Sequence, residues 1–216
     1  MANRVSDETF IERFISSDKV EKVQDFSGDK TQLLEALASI RIEGGLSAVL
    51  DAIHVGAAHT AERNAASQEH RKALVLITDG EDRNSFYKLD DVVKFLREVN
   101  VQVFVIGIVA QLDQNSSFIR LSPREKAENL LKRIAEESGG RIFLPRNNTE
   151  LLRATNEIIH DLHGQFILNY QSTNDHKKKG FRKVDVKVIK ADGEKLKVIT
   201  PLGYFVDTPS AASKPK

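Results

Sequence analysis

The feature that most constrains this fold is a short apolar segment that runs directly into an acidic residue. Five of the six residues in Ala73–Thr78 are apolar, and Asp79 and Gly80 follow at once. An apolar run of this length, bounded by turn residues, predicts a strand buried on both faces. The Asp79 carboxylate then lies at the carboxyl edge of the sheet, where ligands bind in open α/β folds. Because an unpaired buried charge is costly, we expect a bound cation, a basic partner or a helix N-terminus beside it.

Helical and strand patterns alternate through residues 30–164. A second apolar run covers residues 101–109, and a shorter one covers residues 141–144. Segments with apolar residues at helical spacing separate these runs, and Ser122-Pro123 followed by Glu125 is a typical helix start. This alternation predicts an α/β fold with a doubly wound, mostly parallel sheet, resembling a Rossmann arrangement.

The two ends of the chain have a different pattern. Residues 9–15 and 19–26 are β-like and joined by a short turn, which indicates a hairpin. After Gly164, three strand-like segments and the Asp192-Gly193 turn signal predict an antiparallel β appendage. The expected organisation is therefore an α/β domain over residues 1–164, the appendage over residues 165–207, and a disordered tail over residues 208–216.

The composition excludes several classes of function. The 216 residues suffice for one large domain or for a domain with an appendage. A net charge of +1 argues against a dedicated nucleic-acid or membrane surface. No apolar run approaches the length of a membrane span, and the first residues lack a signal-peptide pattern. The absence of cysteine removes disulfides, zinc–thiolate sites and thiol nucleophiles.

Two motifs at the predicted sheet edge resemble those of the von Willebrand factor type A (VWA) domain. They are Gly44-Gly45-Leu46-Ser47, which opens a helical segment, and Thr78-Asp79-Gly80. The order of elements is similar too, and the likeness to bacterial, Acidobacteria-type VWFA-related proteins covers about residues 8–206. The resemblance implies a metal-ion-dependent adhesion site, at which Mg²⁺ or Mn²⁺ binds an acidic side chain of a protein partner.

In the family, three loops supply oxygen ligands to this metal. Ser47 matches the second loop and Asp79 matches the third. The possible ligand-edge residues beside them are Gly45, Gly80, Glu81 and Asp82. The Asp-x-Ser-x-Ser motif of the first loop does not occur in this sequence. Because Ser47 and Asp79 supply only two oxygens, one of them a neutral hydroxyl, we expect weak or absent binding of the metal.

The sequence also lacks the first strand and the first helix that the family's sheet would have. The chain begins where the family's first helix should end, so we expect an N-terminally truncated domain, either as a fragment or as a degenerate form. In the family's sheet the missing strand lies between the segments at residues 9–15 and 73–79. Three arrangements follow: these segments pair directly, a groove stays open between them, or another chain fills it.

Structural interpretations of the same residues remain open beside the functional ones. Asp79 is suited to capping the turn at Gly80, and Ser47 to capping a helix N-terminus. Glu81 and Asp82 have the character of solvated loop acids. Four histidines are expected on helix surfaces: His54, His59, His160 and His163. The run from His176 to Gly180 is expected to be a solvated hairpin tip.

The function we expect is that of a non-catalytic protein–protein interaction module at the carboxyl edge of the sheet. The alternative is a metal-independent structural or assembly domain, in which the open groove allows oligomers to form. A Ser-His-Asp hydrolase is disfavoured because the chain has no Gly-x-Ser-x-Gly motif, and nucleotide binding because it has no phosphate loop. The resemblance implies export or a cell-envelope location for many members, while this sequence leaves the compartment open.

Overall fold

The computed structural model describes residues 7–16, 19–41, 47–63, 71–112, 121–164, 166, 168 and 180–206. The helices are α1 (Lys30–Ser39), α2 (Val49–Arg63), α3 (Leu89–Val99), α4 (Pro123–Ser138) and α5 (Asn148–His163), with a 3₁₀ turn at Val109–Gln111. The strands are β1 (Thr9–Ser16), β2 (Lys19–Ser27), β3 (Ala73–Thr78), β4 (Gln102–Gly107), β5 (Ile142–Phe143), β6 (Gly180–Lys183), β7 (Val188–Ile189), β8 (Lys195–Leu196) and β9 (Gly203–Val206). None of the described helices is both long and apolar enough to cross a membrane.

The centre of the molecule is a parallel sheet in the order β3-β4-β5 with helices on both faces. One face of β4 packs against α2, α3 and α4 through a large apolar cluster that includes Val103, Val105 and Leu131. The other face packs against α5 through Phe104 and Ile106. This arrangement confirms the predicted α/β class with a doubly wound parallel sheet.

Local capping signals place the helices where the sequence predicts them. Ser122 and Glu125 form a reciprocal capping box at the start of α4, which Pro123 opens. Gly139 ends that helix in the left-handed conformation, with φ of 79°. Asp29 caps α1 by accepting a hydrogen bond from the Thr31 amide. The helix boundaries are therefore set mainly by local chemistry.

The prediction that β3 is buried on both faces is wrong. Leu76 is buried against the α2 side, but Val75 is 48% exposed and Ile77 is 61% exposed. The reason lies in the extent of the opposite layer. Among the described residues, the α5 cluster reaches β4, β5 and Ala73 at the start of β3, but it does not cover Val75 and Ile77. The apolar run thus predicted the strand correctly, but it did not predict which of the strand's two faces is covered.

The N-terminal hairpin is confirmed, and it lies outside the central sheet. Strands β1 and β2 pair antiparallel, and within the described residues neither is hydrogen-bonded to β3. Both β1 and β3 pack on α2 at Gly56, where an added Cβ would lie 3.2 Å from a Glu12 carboxylate oxygen and 3.4 Å from a Leu74 methyl carbon. Of the three arrangements considered above, direct pairing is therefore not observed.

The C-terminal region forms two antiparallel ribbons, β6–β9 and β7–β8, as the sequence predicts in kind. The observed strands are shorter than the predicted ones, and the predicted strand at residues 165–170 lies largely outside the described residues. The region packs on the helical layer, where the Arg97 guanidinium lies 4.7 Å from the Phe181 ring centroid. Pro201 approaches Gly139 so closely that no side chain fits there.

Candidate functional site

The loop after β3, residues 79–88, lies over the beginning of α2 and brings Ser47 to the same edge of the sheet as Thr78, Asp79 and Gly80. The backbone carbonyl of Ser47 accepts hydrogen bonds from the amides of Arg83, at 2.8 Å, and Asn84, at 3.3 Å. The Thr78 carbonyl accepts one from the Ile108 amide at 2.8 Å, which joins the ends of β3 and β4. The carboxyl edge is therefore a continuous, hydrogen-bonded surface.

Asp82 holds this loop to the helix. Its Oδ1 atom accepts hydrogen bonds from the amides of Val49, at 2.8 Å, and Leu50, at 3.3 Å, and from the Ser85 hydroxyl at 2.5 Å. A carboxylate at this position satisfies the free amides of the helix start and interacts favourably with the helix dipole. The expectation of a solvated acid at Asp82 is thus wrong, and Asp82 takes the capping role that Ser47 was suited to.

Asp51 makes a second connection between α2 and the loop. It is only 4% exposed, and its two carboxylate oxygens accept the amides of Phe86 and Tyr87, each at 2.9 Å. Beside it, His54 is stacked between Tyr87 and Phe95, with ring centroids 3.9 Å and 4.4 Å away. Burial lowers the pKa of His54, against the opposing effect of the nearby Asp51 carboxylate. His54 is therefore a packing residue under the loop.

Asp79 remains exposed at the tip of β3. Its Oδ1 atom accepts a hydrogen bond from the Glu81 amide at 3.1 Å. This is the turn-capping contact that the structural interpretation of Asp79 predicts. Its second carboxylate oxygen has no hydrogen-bond partner within the described part of the chain. Asp79 thus fulfils the structural interpretation and still has an oxygen available to a ligand.

Gly80 fixes the direction of this turn. Its φ is 79°, and an added Cβ would lie 2.7 Å from a Leu131 methyl carbon and 3.0 Å from the Ala127 Cβ. Only glycine combines that backbone conformation with so close an approach to α4. The position of the Asp79 carboxylate therefore depends on the packing of α4 beneath it.

The other residues predicted for the site differ in how they are engaged. Ser47 is half-buried before α2, and its hydroxyl has no hydrogen bond to any other described residue. Glu81 forms an ion pair with Arg83 on the surface of the loop. Gly45 lies outside the described residues. The site residues available for a ligand are thus the Asp79 carboxylate and the Ser47 hydroxyl.

A divalent metal fits Asp79 and Ser47 only if other molecules supply most of its oxygen ligands. No group of three or more histidine or acidic side chains is placed to hold a metal within the ranges that the structure describes. Asp79 and Ser47 supply two hard oxygens, whereas Mg²⁺ prefers six and commonly completes its shell with water and ligands from a substrate. A metal here would need oxygens from water and from a partner.

The remaining histidines lie away from this edge. The expected surface position holds for His160, whose side chain is 87% exposed. His163 is half-buried near Asp7. For His59 the expectation is wrong: it lies between the rings of Phe10 and Phe26. Its Nδ1 atom lies 3.2 Å from Glu12 Oε1, so that it joins α2 to the hairpin.

The parallel sheet and the helices on both of its faces define a doubly wound α/β domain, with Ser47 and Thr78–Gly80 at its carboxyl edge. The chain belongs to the family of von Willebrand factor type A domains, whose family model matches residues 15–157. Domains of this family are generally non-catalytic interaction modules.

Solved structures with the same fold include an aerotolerance-related membrane protein from Bacteroides fragilis. It is 22% identical, with a TM-score of 0.51, and the match covers 72% of this chain and 80% of that protein. The conserved hypothetical protein BatB from Bacteroides thetaiotaomicron is 18% identical, with a TM-score of 0.52 and coverage of 74% and 80%. Comparison with curated proteins gives no match.

Proposed function

We propose that this protein binds a protein partner at the carboxyl edge of its sheet, with Asp79 and Ser47 at the centre of the contact. The observation that carries the proposal is the free carboxylate oxygen of Asp79, held at an exposed strand end by the turn to Glu81. The neighbouring Asp82 and Asp51 carboxylates are committed to loop and helix amides. The loop is therefore hydrogen-bonded to α2 while the Asp79 carboxylate remains accessible.

The partner we propose offers an acidic side chain, and a Mg²⁺ or Mn²⁺ ion bridges it to Asp79. Two acids do not attract one another directly, whereas a shared hard cation accepts oxygens from both. Ser47 supplies a neutral oxygen from the start of α2. Since this chain provides few ligands by itself, the ion binds weakly without the partner.

Titration calorimetry with Mg²⁺ and with Mn²⁺ tests the metal part of this proposal. We expect weak binding to the natural chain and its loss in Asp79→Ala. The matched control is Asp192→Ala, because Asp192 makes the same turn contact, to the Glu194 amide at 3.0 Å, away from the sheet edge. Equal binding by the natural chain and Asp79→Ala, or no binding by either, would contradict a metal role.

A hydrolase built on Ser47 and a histidine is less well supported than a binding module. His54 is stacked between two rings, and His59 is bound to the hairpin. Within the described part of the chain, neither histidine forms a hydrogen bond with the Ser47 hydroxyl. Hydrolysis of ester substrates that disappears in Ser47→Ala would overturn the proposal of a non-catalytic module.

The second candidate function is assembly by strand addition. Its support is the pair of strands, β1 and β3, that each lack a hydrogen-bonded neighbour on one side within the described residues. The exposed side chains of Val75 and Ile77 are apolar surface beside that edge. An added strand would satisfy the backbone groups, and the chain attached to it would cover the two side chains.

Light scattering over a range of protein concentrations tests this assembly. A mass that rises with concentration in the natural chain and stays monomeric in Ile77→Lys supports strand addition between copies. A strict monomer at every concentration counts against it. The structural relative from Bacteroides fragilis is described as a membrane protein, and we propose a cell-envelope setting for this chain too.

A further inference from the structure

The low net charge of the whole chain conceals two regions of opposite sign. Residues 1–164 contain 21 Lys and Arg against 26 Asp and Glu, so their formal charge is −5. Residues 165–216 contain 11 Lys and Arg against 5 Asp and Glu, so theirs is +6. The net charge of +1 therefore disfavours an anionic partner only for the chain as a whole, and the C-terminal region is basic by itself.

Within that region, the β7–β8 ribbon and its flanking residues present one strongly basic face. Val188 pairs with Leu196 and Ile189 with Lys195, so Ile189 and Lys195 lie on the same side of the ribbon. Residues 184–187 and 197–199 lie outside the strands, but their alternating exposure continues this side, which we call the basic face. Its members are Lys183, Asp185, Lys187, Ile189, Lys195, Lys197 and Ile199. All seven are exposed. On the opposite side, Val184, Val186 and Val198 are half-buried, whereas Val188 and Leu196 are each 41% exposed.

Much of the positive charge on the basic face is uncompensated. Lys187 lies 3.0 Å from Asp185. Lys183, Lys195 and Lys197 have no acidic partner among the residues that the structure describes. The face also exposes large apolar side chains, since Ile189 is 59% exposed and Ile199 is 39% exposed. Unpaired lysines beside exposed isoleucines are typical of a surface that contacts a partner with both negative charge and apolar groups.

We propose that the basic face docks on the surface of a bilayer that contains anionic phospholipids. The negative potential of such a surface attracts lysine side chains, and exposed isoleucines insert at the headgroup boundary. A surface for single-stranded nucleic acid would instead offer aromatic rings for base stacking, and residues 183–199 contain none. Apolar side chains among unpaired lysines favour a lipid surface over an acidic protein. This surface contact is separate from the carboxyl edge and does not depend on it.

Co-sedimentation of the whole chain with lipid vesicles tests the proposal. We expect binding to vesicles of phosphatidylcholine and phosphatidylglycerol at low salt, weaker binding at high salt, and little binding to phosphatidylcholine alone. Lys195→Gln/Lys197→Gln should weaken binding about 25-fold, since each lysine contributes about fivefold. The matched control is Lys126→Gln/Lys132→Gln, which removes the same charge from exposed positions on α4.

Ile189→Ser separates the apolar contribution from the charge. It should weaken vesicle binding about tenfold and make the remaining binding more sensitive to salt. Circular dichroism checks that each variant keeps the secondary structure of the natural chain. No binding to phosphatidylglycerol vesicles at low salt, or equal weakening by the α4 control, overturns the proposal. Tighter binding to poly-glutamate or to a single-stranded oligonucleotide than to vesicles also overturns it.

Discussion

The strands of the central sheet differ in how far other elements cover them: β4 and β5 form the covered side, and β3 forms the open side. On one side, β4 and β5 lie between two helical layers, and Phe104 and Ile106 are buried beneath α5. On the other side, the α5 cluster reaches β3 only at Ala73, and the hairpin next to β3 forms a separate sheet among the described residues. The helix attached to that hairpin, α1, buries only Ala36 and leaves Leu34 and Leu37 exposed. The fold is complete around β4 and open around β3.

This difference shows that the open side is not simply a less apolar part of the chain. Val75 and Ile77 are as apolar as their neighbours on β4, and Ile77 is the register partner of Ile106. An exposed apolar surface of this kind is typical of a face that meets another element or molecule. Both proposed functions place a partner near this side of the molecule.

The largest expected effect separates the two sides directly. Ile106→Ala removes a side chain from the buried face of β4 and should lower the free energy of unfolding by about 2–5 kcal/mol. Ile77→Ala makes the same change at its register partner, where exposure should limit the loss to about 0.5 kcal/mol. Urea denaturation of both variants measures the difference. Equal losses would show that β3 is covered in solution.

A second substitution sharpens the comparison at the sheet edge. Gly80→Ala places a methyl group 2.7 Å from a Leu131 methyl carbon at a φ of 79°. We expect a loss of about 2–3 kcal/mol, from backbone strain and overpacking together. Gly193→Ala is the control, because its φ of 87° imposes similar strain and no atom lies within 4 Å of the new methyl group. If both variants lose the same stability in thermal denaturation, packing against α4 has no role.

Helix capping provides a smaller test. Asp82→Ala removes the acceptor for two amides of α2 and should cost about 1–2 kcal/mol. Asp29→Ala removes the cap of α1, which lies on the open side. That change should cost about 0.5 kcal/mol because α1 contributes little to the core. Hydrogen exchange of the first-turn amides measures both. A larger effect on α1 than on α2 would contradict the assignment of α1 to the periphery.

The smallest expected effect concerns pH. Burial raises the pKa of Glu12 above its ordinary value, and His59 opposes this shift. The folded state therefore holds the Glu12 proton more tightly than the unfolded state does. The resulting stabilisation is present below the ordinary pKa of a glutamate and is lost as the pH rises through the raised pKa.

Glu12→Gln should remove this dependence, so that the stability difference between the natural chain and the variant changes as the pH rises above the ordinary pKa of a glutamate, about 4.3. Urea denaturation across that range measures it. Glu98→Gln, at an exposed position on α3, is the control and should keep the natural dependence. A natural pH dependence that persists in Glu12→Gln would show that Glu12 does not bind its proton more tightly in the folded state.

The sequence was sufficient for features that depend on neighbouring residues. The capping box at Ser122, the hairpin at β1–β2 and the parallel run of β3 and β4 all follow from local patterns. The roles of Asp82 and His59 could not be predicted because their partners lie 33 and 47 positions away. The exposure of Val75 and Ile77 was missed for a related reason, since a strand's pattern does not reveal where the helix above it ends.

Nuclear magnetic resonance with Mn²⁺ tests the central claim most directly, because this paramagnetic ion broadens the signals of nearby amides. If the carboxyl edge is the docking face, low concentrations of Mn²⁺ should broaden the amides of Ser47, Gly80 and Glu81. The Glu194 amide, next to the matched turn at Asp192, should stay sharp. Asp79→Asn should abolish the selective broadening. Broadening that is uniform over all acidic turns, or that survives in Asp79→Asn, would contradict the account.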